Sequence, residues 1–374
     1  MRLGLAIAGA VAAAAAAAPG RAAAYPQFQL STGAERCTAC HFSPAGGGLL
    51  NDYGRDEAGG TISRRGDGRF LHGLWEPPRW LQLGADLRGA AAIRYRDRDR
   101  ELLAFPMQAD AYVRAGGAGI SVNVVAGLRG GARDPQPPLV ERIVSREHYV
   151  MYEHGSGAYV RAGRFFPVFG LRSQDHTAFV RRYLGFHTLE EPYGVAAGIH
   201  GDGWEAHASG FVPRPIEPLG AGPRASGAAL YAERRFCDVF ALAGQARIAV
   251  SPDDRRIAGG VIAKRWIASA ALMVLAELDV QHQAFTGGAG PGRLQLAGYA
   301  GASRFVARGV MLGAAYHRWQ PDLMLRSSRD AFEINAQYFP LAHVELHLLA
   351  RASAEGDDLD ESGLLALLQL HYYL

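Results

Sequence analysis

The chain has 374 residues, of which 49% are hydrophobic and 20% charged, and its formal net charge at pH 7 is +3. So small a charge gives no basis for binding nucleic acid or an acidic partner. After residue 24 no apolar run is long enough for a membrane-spanning helix, although membrane-spanning strands give much weaker hydropathy signals. The composition therefore leaves a membrane β-barrel open.

Residues 1–24 have the three parts of a secretory signal peptide. The segment starts with a basic residue, Arg2, continues as an apolar run to Ala18 and ends in small residues. Cleavage after Ala24 would leave Tyr25 as the mature N-terminus. The alternative is an alanine-rich helix of a cytosolic protein. Export would place the rest of the chain on the side of the inner membrane where covalent haem attachment takes place.

A CxxCH motif follows at Cys37, Cys40 and His41. In such a motif two thiols bind the haem vinyl groups and the adjacent imidazole binds the iron, which predicts one covalent haem c. A CxxC disulfide or redox pair would be the alternative, but no βαβ pattern surrounds it. Zinc would need two further ligands, and His72 is the one nearby candidate. The third cysteine, Cys237, stands alone.

Residues 25–79 are rich in glycine and proline and show no long helical period. This pattern predicts irregular chain wrapped around the haem, with the porphyrin as its apolar centre. The segment contains no methionine, which is a usual second axial ligand in small cytochromes. His72, a side chain of the following domain or a weak sixth ligand therefore remain open for that position.

From Trp80 onward the hydrophobic period changes to two. Apolar and polar residues alternate in stretches such as 81–88, 272–281, 332–338 and 343–348. Stretches of about ten residues with this alternation are typical of transmembrane strands that have a lipid face and a wet lumen. Sixteen such stretches are predicted to start near Trp80, Leu102, Gly119, Arg146, Ala158, Tyr193, Gly203, Ser226, Asp238, Ile257, Ala268, Arg293, Gly309, Arg329, Ala342 and Gly363.

The connections between these stretches alternate between long loops and tight turns, which is typical of outer-membrane barrels and not of soluble β-sandwiches. The predicted fold is therefore all-β: an antiparallel outer-membrane β-barrel of about sixteen strands over residues 80–374. Residues 25–79 would form a small c-type haem segment that acts as a plug.

The longest loop, 167–192, is the third on the loop side, and half of it is apolar. Such a loop is predicted to fold into the lumen, as it does in general porins. Its arginines, Arg172, Arg181 and Arg182, would either present guanidinium groups to anions or pair with carboxylates of the lumen or with lipopolysaccharide. Histidines and glutamates on the lumen face suit a divalent metal, but a wet lumen needs polar residues anyway.

The leader, the single CxxCH motif and the barrel together resemble the fused cytochrome–porins, outer-membrane electron conduits best known from iron-oxidising bacteria. The motif residues Cys37, Cys40 and His41 carry the specific part of this resemblance. It implies that the cytochrome segment plugs the barrel. It also implies electron transfer between an extracellular donor or acceptor, such as Fe(II), and a periplasmic carrier such as a soluble cytochrome.

Two functions of different class follow. The first is an electron conduit embedded in outer-membrane lipid, at most an electron-transfer oxidoreductase. The second is a porin-type solute or anion channel whose haem segment is a structural plug or sensor. A haem enzyme with an open sixth position is a third. Ion conductance distinguishes the first two functions, because a barrel blocked by the haem segment would conduct ions poorly.

Overall fold

The computed structural model describes residues 26–30, 34, 36–96, 99–128, 138–187, 190–213, 225–287, 290–355 and 358–374. The predicted signal peptide, residues 1–24, lies outside these residues.

Sixteen antiparallel strands form one closed barrel in which each strand pairs with its neighbours in sequence. The barrel closes where β1 pairs with β16, for example through Asp86 and Tyr373. The strands are β1 Leu81–Arg96, β2 Asp99–Gly117, β3 Ile120–Leu128, β4 Ile143–Glu153, β5 Ala158–Arg164, β6 Tyr193–Gly201, β7 Trp204–Val212, β8 Ser226–Phe236, β9 Phe240–Val250, β10 Asp254–Ile267, β11 Leu272–Phe285, β12 Arg293–Ala307, β13 Val310–Gln320, β14 Arg329–Leu341, β15 Val344–Glu355 and β16 Asp358–Tyr373.

This architecture confirms the predicted barrel and its strand number. Every strand starts within five residues of its predicted start, and β1 begins one residue after Trp80. The largest difference is β16, which begins at Asp358 rather than at Gly363 because its pairing with β15 continues to Glu355. The acidic composition of residues 357–361 suggests a loop, but backbone pairing between two long strands overrides it.

The two faces of each strand differ in the way a transmembrane barrel requires. On β14, Phe332 and Ile334 point outward and are 67% and 50% exposed, whereas Glu333 between them is buried in the lumen. The outward residues of the other strands, such as Val261 and Leu368, extend this apolar surface around the barrel. Lipid hydrocarbon can cover this apolar surface without leaving backbone N–H or C=O groups unpaired, because a closed barrel has no free strand edge.

The two ends of the barrel are built differently. At one end, the turn end, two-residue connections such as Ala118–Gly119, Arg308–Gly309 and Ala342–His343 join the strands, and β1 starts and β16 finishes there. At the other end, the loop end, longer connections occur, and residues 165–192 between β5 and β6 form the longest. We call residues 165–192 loop 3.

The chain before the barrel, residues 26–79, is called the N-terminal segment. It contains one short α-helix, α1 Asp52–Glu57, between 3₁₀ turns at Pro26–Phe28, Cys37–Ala39 and Phe70–Gly73, with a π turn at Ala58–Ile62. Elsewhere a short α-helix, α2 Leu139–Arg142, precedes β4, a π turn spans Val180–Leu184 and a 3₁₀ turn spans Ala268–Ala270. Among the described residues, no helix is long and apolar enough to cross a membrane.

The N-terminal segment packs inside the turn end. The Phe339 carbonyl accepts a hydrogen bond from Arg64 N at 2.9 Å, and Ala342 N donates to the Arg65 carbonyl at 2.7 Å. At the same end, an apolar cluster joins Phe28 and Ile62 to Met311 and Phe339 of the wall. These contacts place the segment within the lumen rather than beside the barrel.

Candidate functional site

The CxxCH motif forms a tight turn. Cys37–Ala39 is a 3₁₀ turn in which the Cys37 carbonyl accepts hydrogen bonds from Cys40 N at 3.2 Å and from His41 N at 2.9 Å. This turn brings Cys37, Cys40 and His41, which the sequence predicts as haem ligands, to the wall of one cavity. The arrangement is local and follows from the short spacing of the motif.

Asn51 ties this turn to helix α1. Its side-chain oxygen caps the helix by accepting from Gly54 N at 2.9 Å, and its amide nitrogen donates to the carbonyls of Thr38 at 3.1 Å and Ala39 at 3.0 Å. Asn51 N also donates to the Cys40 carbonyl at 2.9 Å. The Asn51 side chain therefore pairs with a backbone amide at the start of the helix and with two backbone carbonyls of the motif turn.

Glycines bring the backbone close to the motif. At Gly46, Gly47 and Gly48 the φ angles are +74°, +71° and +61°, which L side chains rarely adopt. A Cβ at Gly46 would lie 3.0 Å from Cys37 Sγ, and one at Gly48 would lie 3.0 Å from the Tyr112 ring. Gly46 and Gly48 thus leave a cradle between the first thiol and the barrel wall, which side chains would fill.

The cavity has a volume of about 290 Å³ and is bounded by the N-terminal segment, by the inward faces of β1–β4 and by loop 3. Its lining combines apolar surface with buried guanidinium groups. The lining residues include Leu49, Leu50, Val125, Phe169, Leu171, Arg88, Arg146, Arg172 and Arg181. Apolar surface suits a porphyrin and guanidinium groups suit its two propionates, although Arg146 and Arg172 also pair with Glu191 and Glu205. The donor set and the cradle therefore fit a haem c.

The two motif cysteines are unpaired, and burial disfavours the thiolate form of both. All three cysteines of the chain are unpaired, so no Cys37–Cys40 disulfide is present. Burial raises the pKa of the Cys37 thiol above its ordinary value, and burial with the neighbouring Cys37 raises the pKa of Cys40 to about 12. A thiol with so high a pKa is a poor nucleophile and a poor metal ligand at neutral pH. Cys237 lies exposed in the turn between β8 and β9, far along the chain from this site.

His72, the predicted candidate for the second axial position, lies elsewhere. It is exposed in the turn Phe70–Gly73 with φ +56°. Its ring meets that of His343 edge to face at 4.9 Å, and its Nε2 is 3.4 Å from the Tyr372 hydroxyl. It is not among the residues that line the cavity. Its role as an axial ligand stays a prediction.

Loop 3 folds into the lumen, as its apolar composition predicts. Gly170 N donates to Gln245 Oε1 at 2.5 Å, and Leu171 N donates to Glu277 Oε2 at 2.9 Å. Val168 and Leu171 also pack in one buried cluster with Leu30 of the N-terminal segment. The loop thus meets the N-terminal segment inside the barrel, and the two close the cavity from opposite ends.

Two of the three arginines of loop 3 make hydrogen bonds within the protein, whereas Arg182 is exposed and lies over the Tyr183 ring. Arg172 donates to Glu205 Oε1 at 2.9 Å and to the Pro44 carbonyl at 3.1 Å, and its guanidinium lies over the Tyr231 ring at 4.7 Å. Arg181 donates to the carbonyls of Ser173 and Phe186. Of the two sequence alternatives, Arg172 follows the one in which an arginine pairs with a lumen carboxylate.

A second charged cluster fixes the middle of loop 3. Asp175 of the loop, His317 of β13 and Glu333 of β14 present ligand atoms within 4.8 Å of one another. The Arg351 guanidinium already bridges the two carboxylates and also donates to Thr177 Oγ1 at 2.6 Å. Because Arg351 already supplies positive charge to both carboxylates, the cluster acts as an ion-pair latch. The sequence gives no signal for it, because its members lie on separate elements.

The chain's only lysine, Lys264 of β10, links the wall to the motif. Its Nζ lies 2.7 Å from Glu233 Oε2 and 2.7 Å from Gln29 Oε1, and its side chain is 1% exposed. Gln29 Nε2 in turn donates to Cys37 Sγ at 3.6 Å. Sequence reasoning missed both residues, since a lone lysine in a strand is an ordinary feature.

No family model matches the chain, and no curated protein matches it. Solved structures do. OprB of Pseudomonas putida has a TM-score of 0.62 at 10% identity and covers 79% of this chain and 94% of its own. OmpF of Salmonella typhi has a TM-score of 0.61 at 10% identity, with 79% and 97% covered. OmpT of Vibrio cholerae has a TM-score of 0.59 at 11% identity, with 79% and 99% covered. These likenesses establish the fold of an outer-membrane porin.

Proposed function

We propose that this protein is a bacterial outer-membrane barrel that conducts electrons through one covalent haem c. The exchange is between an extracellular donor or acceptor, Fe(II) being a candidate, and a periplasmic carrier such as a soluble cytochrome. One observation carries the proposal: Cys37, Cys40 and His41 line a single cavity that loop 3 and the N-terminal segment enclose inside the barrel. A plain porin has no use for a fixed redox group in its lumen.

The residues of the cavity would have distinct roles toward the haem. Cys37 and Cys40 would hold the haem as thioethers, and His41 would bind the iron. The haem supplies reversible one-electron chemistry when bound. Arg88 and Arg146 line the cavity and would add positive charge near the propionates, although Arg146 also pairs with Asp110 and Glu191. The apolar lining would exclude water from the haem, which influences the redox potential.

The first test is haem staining of a denaturing gel after production with the haem c maturation machinery. We expect the stain to follow the intact chain and to vanish in the Cys37→Ala/Cys40→Ala variant. A wild-type chain that carries no covalent haem would refute the proposal at this step.

The second test uses liposomes that enclose an electron acceptor, with a ferrous donor outside. We expect acceptor reduction with the wild-type protein and none above the protein-free background with Cys37→Ala/Cys40→Ala, because no redox group would then cross the barrel. Equal reduction by both proteins would contradict electron transfer through the haem.

A porin-type solute or anion channel is the second candidate, favoured by the porin fold of the structural neighbours and by a loop 3 that enters the lumen. Planar bilayers separate the two. The electron conduit predicts little ion conductance because the N-terminal segment and loop 3 fill the lumen. Conductance comparable to that of an open porin would favour the channel.

A further inference from the structure

The cavity that contains the motif offers few groups for a sixth iron ligand. Besides His41, two imidazoles line it, His176 of loop 3 and His371 of β16, and its described lining contains no methionine or lysine. Imidazole and thioether are the usual partners of a histidine-ligated haem c. The choice within the described cavity therefore lies between these two histidines.

His371 is committed to other partners. Its Nδ1 lies 3.0 Å from Glu345 Oε2, and its Nε2 lies 2.9 Å from Asp86 Oδ1. The ring is 3% exposed, and both carboxylates are largely buried. Withdrawing His371 would leave two buried carboxylates without this partner, which is costly. Its contacts with these two carboxylates therefore keep it in the wall.

His176 has no such commitment. Within the part of the chain that the structure describes, neither of its ring nitrogens makes a hydrogen bond, and its ring contact is with His187, edge to face at 5.4 Å. Its backbone is braced by its neighbours. Asp175 Oδ1 accepts from Thr177 N at 2.8 Å, and Arg351 holds the Asp175 carboxylate. A ligand on a braced turn loses little entropy on binding.

Loop 3 also lies on the appropriate side. The motif belongs to the N-terminal segment, which fills the turn end, whereas loop 3 enters from the loop end. The two meet where Arg172 donates to the Pro44 carbonyl at 3.1 Å and where Leu171 packs in a cluster with Leu30. Loop 3 and the motif therefore line the same cavity from two sides, which places His176 within the space that a haem on Cys37 and Cys40 would occupy.

We propose that His176 is the second axial ligand of the haem iron, opposite His41. This inference rests on the proposed function, since it requires haem c at Cys37 and Cys40. It adds a role for loop 3, which would close the lumen and complete the iron coordination with the same segment. A bis-histidine iron has no open position, so the site would transfer electrons without binding small ligands such as carbon monoxide.

The test is spectroscopic and uses the full-length protein, matured with haem and purified in detergent. Wild type, His176→Ala, His176→Met, His72→Ala and His187→Ala are compared by optical absorption, electron paramagnetic resonance and carbon monoxide binding. Haem staining and the mobility shift of the folded barrel on unheated gels show that each variant is loaded and folded. His187→Ala is the matched control, because it lies in the same loop and contacts His176.

We expect a low-spin iron in wild type and in His187→Ala, and a high-spin iron that binds carbon monoxide in His176→Ala. Added imidazole should restore the low-spin spectrum of His176→Ala. His176→Met should stay six-coordinate with a raised potential, because a thioether ligand favours the ferrous state. This substitution keeps the test decisive if the alanine variant does not fold.

Three results would overturn the inference. They are a low-spin His176→Ala, a loss of the low-spin signal in His72→Ala, and a wild-type iron that is already high-spin. All three occur in protein that carries covalent haem, so they leave the proposed function standing. A chain without covalent haem would instead refute the proposed function, and the staining step reports that case separately.

Discussion

Loop 3 and the N-terminal segment both fill the barrel, but different chemistry anchors them. Loop 3 is held by charged side chains, such as Arg172 with Glu205 and Arg351 with Asp175. The N-terminal segment is held mainly through its own backbone. For example, Arg308 donates to the Ser63 carbonyl at 2.9 Å, and His343 Nε2 donates to the Arg69 carbonyl at 2.9 Å.

This difference decides how each region can be disturbed. A backbone carbonyl cannot be removed by substitution, so the N-terminal segment is vulnerable at glycines whose missing Cβ permits close approach. A charged anchor can be removed by one substitution that leaves its buried partner unpaired, so loop 3 is vulnerable at its ion pairs. The following predictions test this contrast, starting with the largest expected effect.

The largest effect concerns the order of assembly. Cys40 is 3% exposed, and the N-terminal segment and loop 3 enclose its cavity from the two ends. We therefore expect that haem attaches before the barrel closes. A chain refolded without haem and then given reduced haem should gain no covalent stain, whereas the same chain kept unfolded in urea under the same reducing conditions should gain it. Equal staining of both samples would show that the anchors open readily.

The next largest effect is expected from adding a Cβ atom to a glycine of the N-terminal segment. Gly68 has φ +71°, and a Cβ there would lie 1.8 Å from the Arg55 carbonyl oxygen. Gly68→Ala should destabilise the packed segment by about 3 kcal/mol or more, through strain and displacement of that backbone. Bilayer conductance should rise accordingly, because the segment no longer fills the turn end.

Gly60→Ala is the matched control for this substitution. Gly60 lies in the same segment, but a Cβ there would meet no atom within 4 Å. Its conductance should equal that of wild type. If Gly68→Ala also conducted like wild type, the backbone anchors would not depend on this close approach.

Removal of Arg351, the latch arginine, should destabilise the packing of loop 3 about as much as Gly68→Ala destabilises that of the N-terminal segment. Arg351→Met leaves the carboxylates of Asp175 and Glu333 without their shared cation, and breaking a buried ion pair in this way costs ~3–5 kcal/mol. We expect rapid cleavage within loop 3 by protease added on the loop side, measured by mass spectrometry. Arg351→Met/Glu333→Gln should recover part of the protection, since one buried charge is then removed.

The control lies on the adjacent strand pair. Arg318 of β13 pairs with Asp330 of β14 at 3.0 Å, but these side chains are 38% and 29% exposed. A pair so open to water contributes less than about 1 kcal/mol, so Arg318→Met should leave loop 3 protected. Cleavage at the same rate in both variants would indicate that loop 3 is not held by its buried ion pair.

The contrast also explains what the sequence could predict. The strands follow from apolar and polar residues that alternate every two positions, and each strand pairs with its neighbour in sequence, so Leu272–Phe285 is visible as a strand without knowledge of the fold. The haem motif is equally local, because Cys37, Cys40 and His41 lie within five consecutive residues. Both predictions need only short-range information.

The contacts that enclose the site join residues that lie far apart in the sequence. Asp175 and Arg351 are 176 residues apart, and Gln29 and Lys264 are 235 residues apart. A pair of this sort depends on the register of many strands and on the path of a loop, and one charged residue in a strand does not identify its partner. For the same reason His72 is the natural sequence candidate for an axial ligand, whereas His176 requires the fold of loop 3.

The smallest effect on stability is expected at Lys264, a charged side chain of the wall that anchors the N-terminal segment. Its Nζ pairs with Glu233 of the wall at 2.7 Å and donates to Gln29 of the N-terminal segment at 2.7 Å. Lys264→Met removes both contacts, but the Tyr231 hydroxyl still donates to Glu233. We therefore expect a loss near the lower end of the ~3–5 kcal/mol that breaking a buried ion pair costs, less than at Arg351, where two carboxylates lose their cation.

Hydrogen exchange measures this loss where it occurs, at the amides of residues 26–30 and 36–41. Exchange there should accelerate in Lys264→Met, while the amides of residues 175–184 in loop 3 keep their wild-type rates, because the contacts that hold them, with Arg351 and in the cluster of Ala178, Val180 and Leu184, involve neither Gln29 nor Leu30. Lys264→Met/Glu233→Gln should exchange more slowly than the single variant, since no unpaired carboxylate then remains beside Gln29. If loop 3 accelerated together with the N-terminal segment, the two regions would open as one unit, and the separate anchoring argued from their contacts would be wrong.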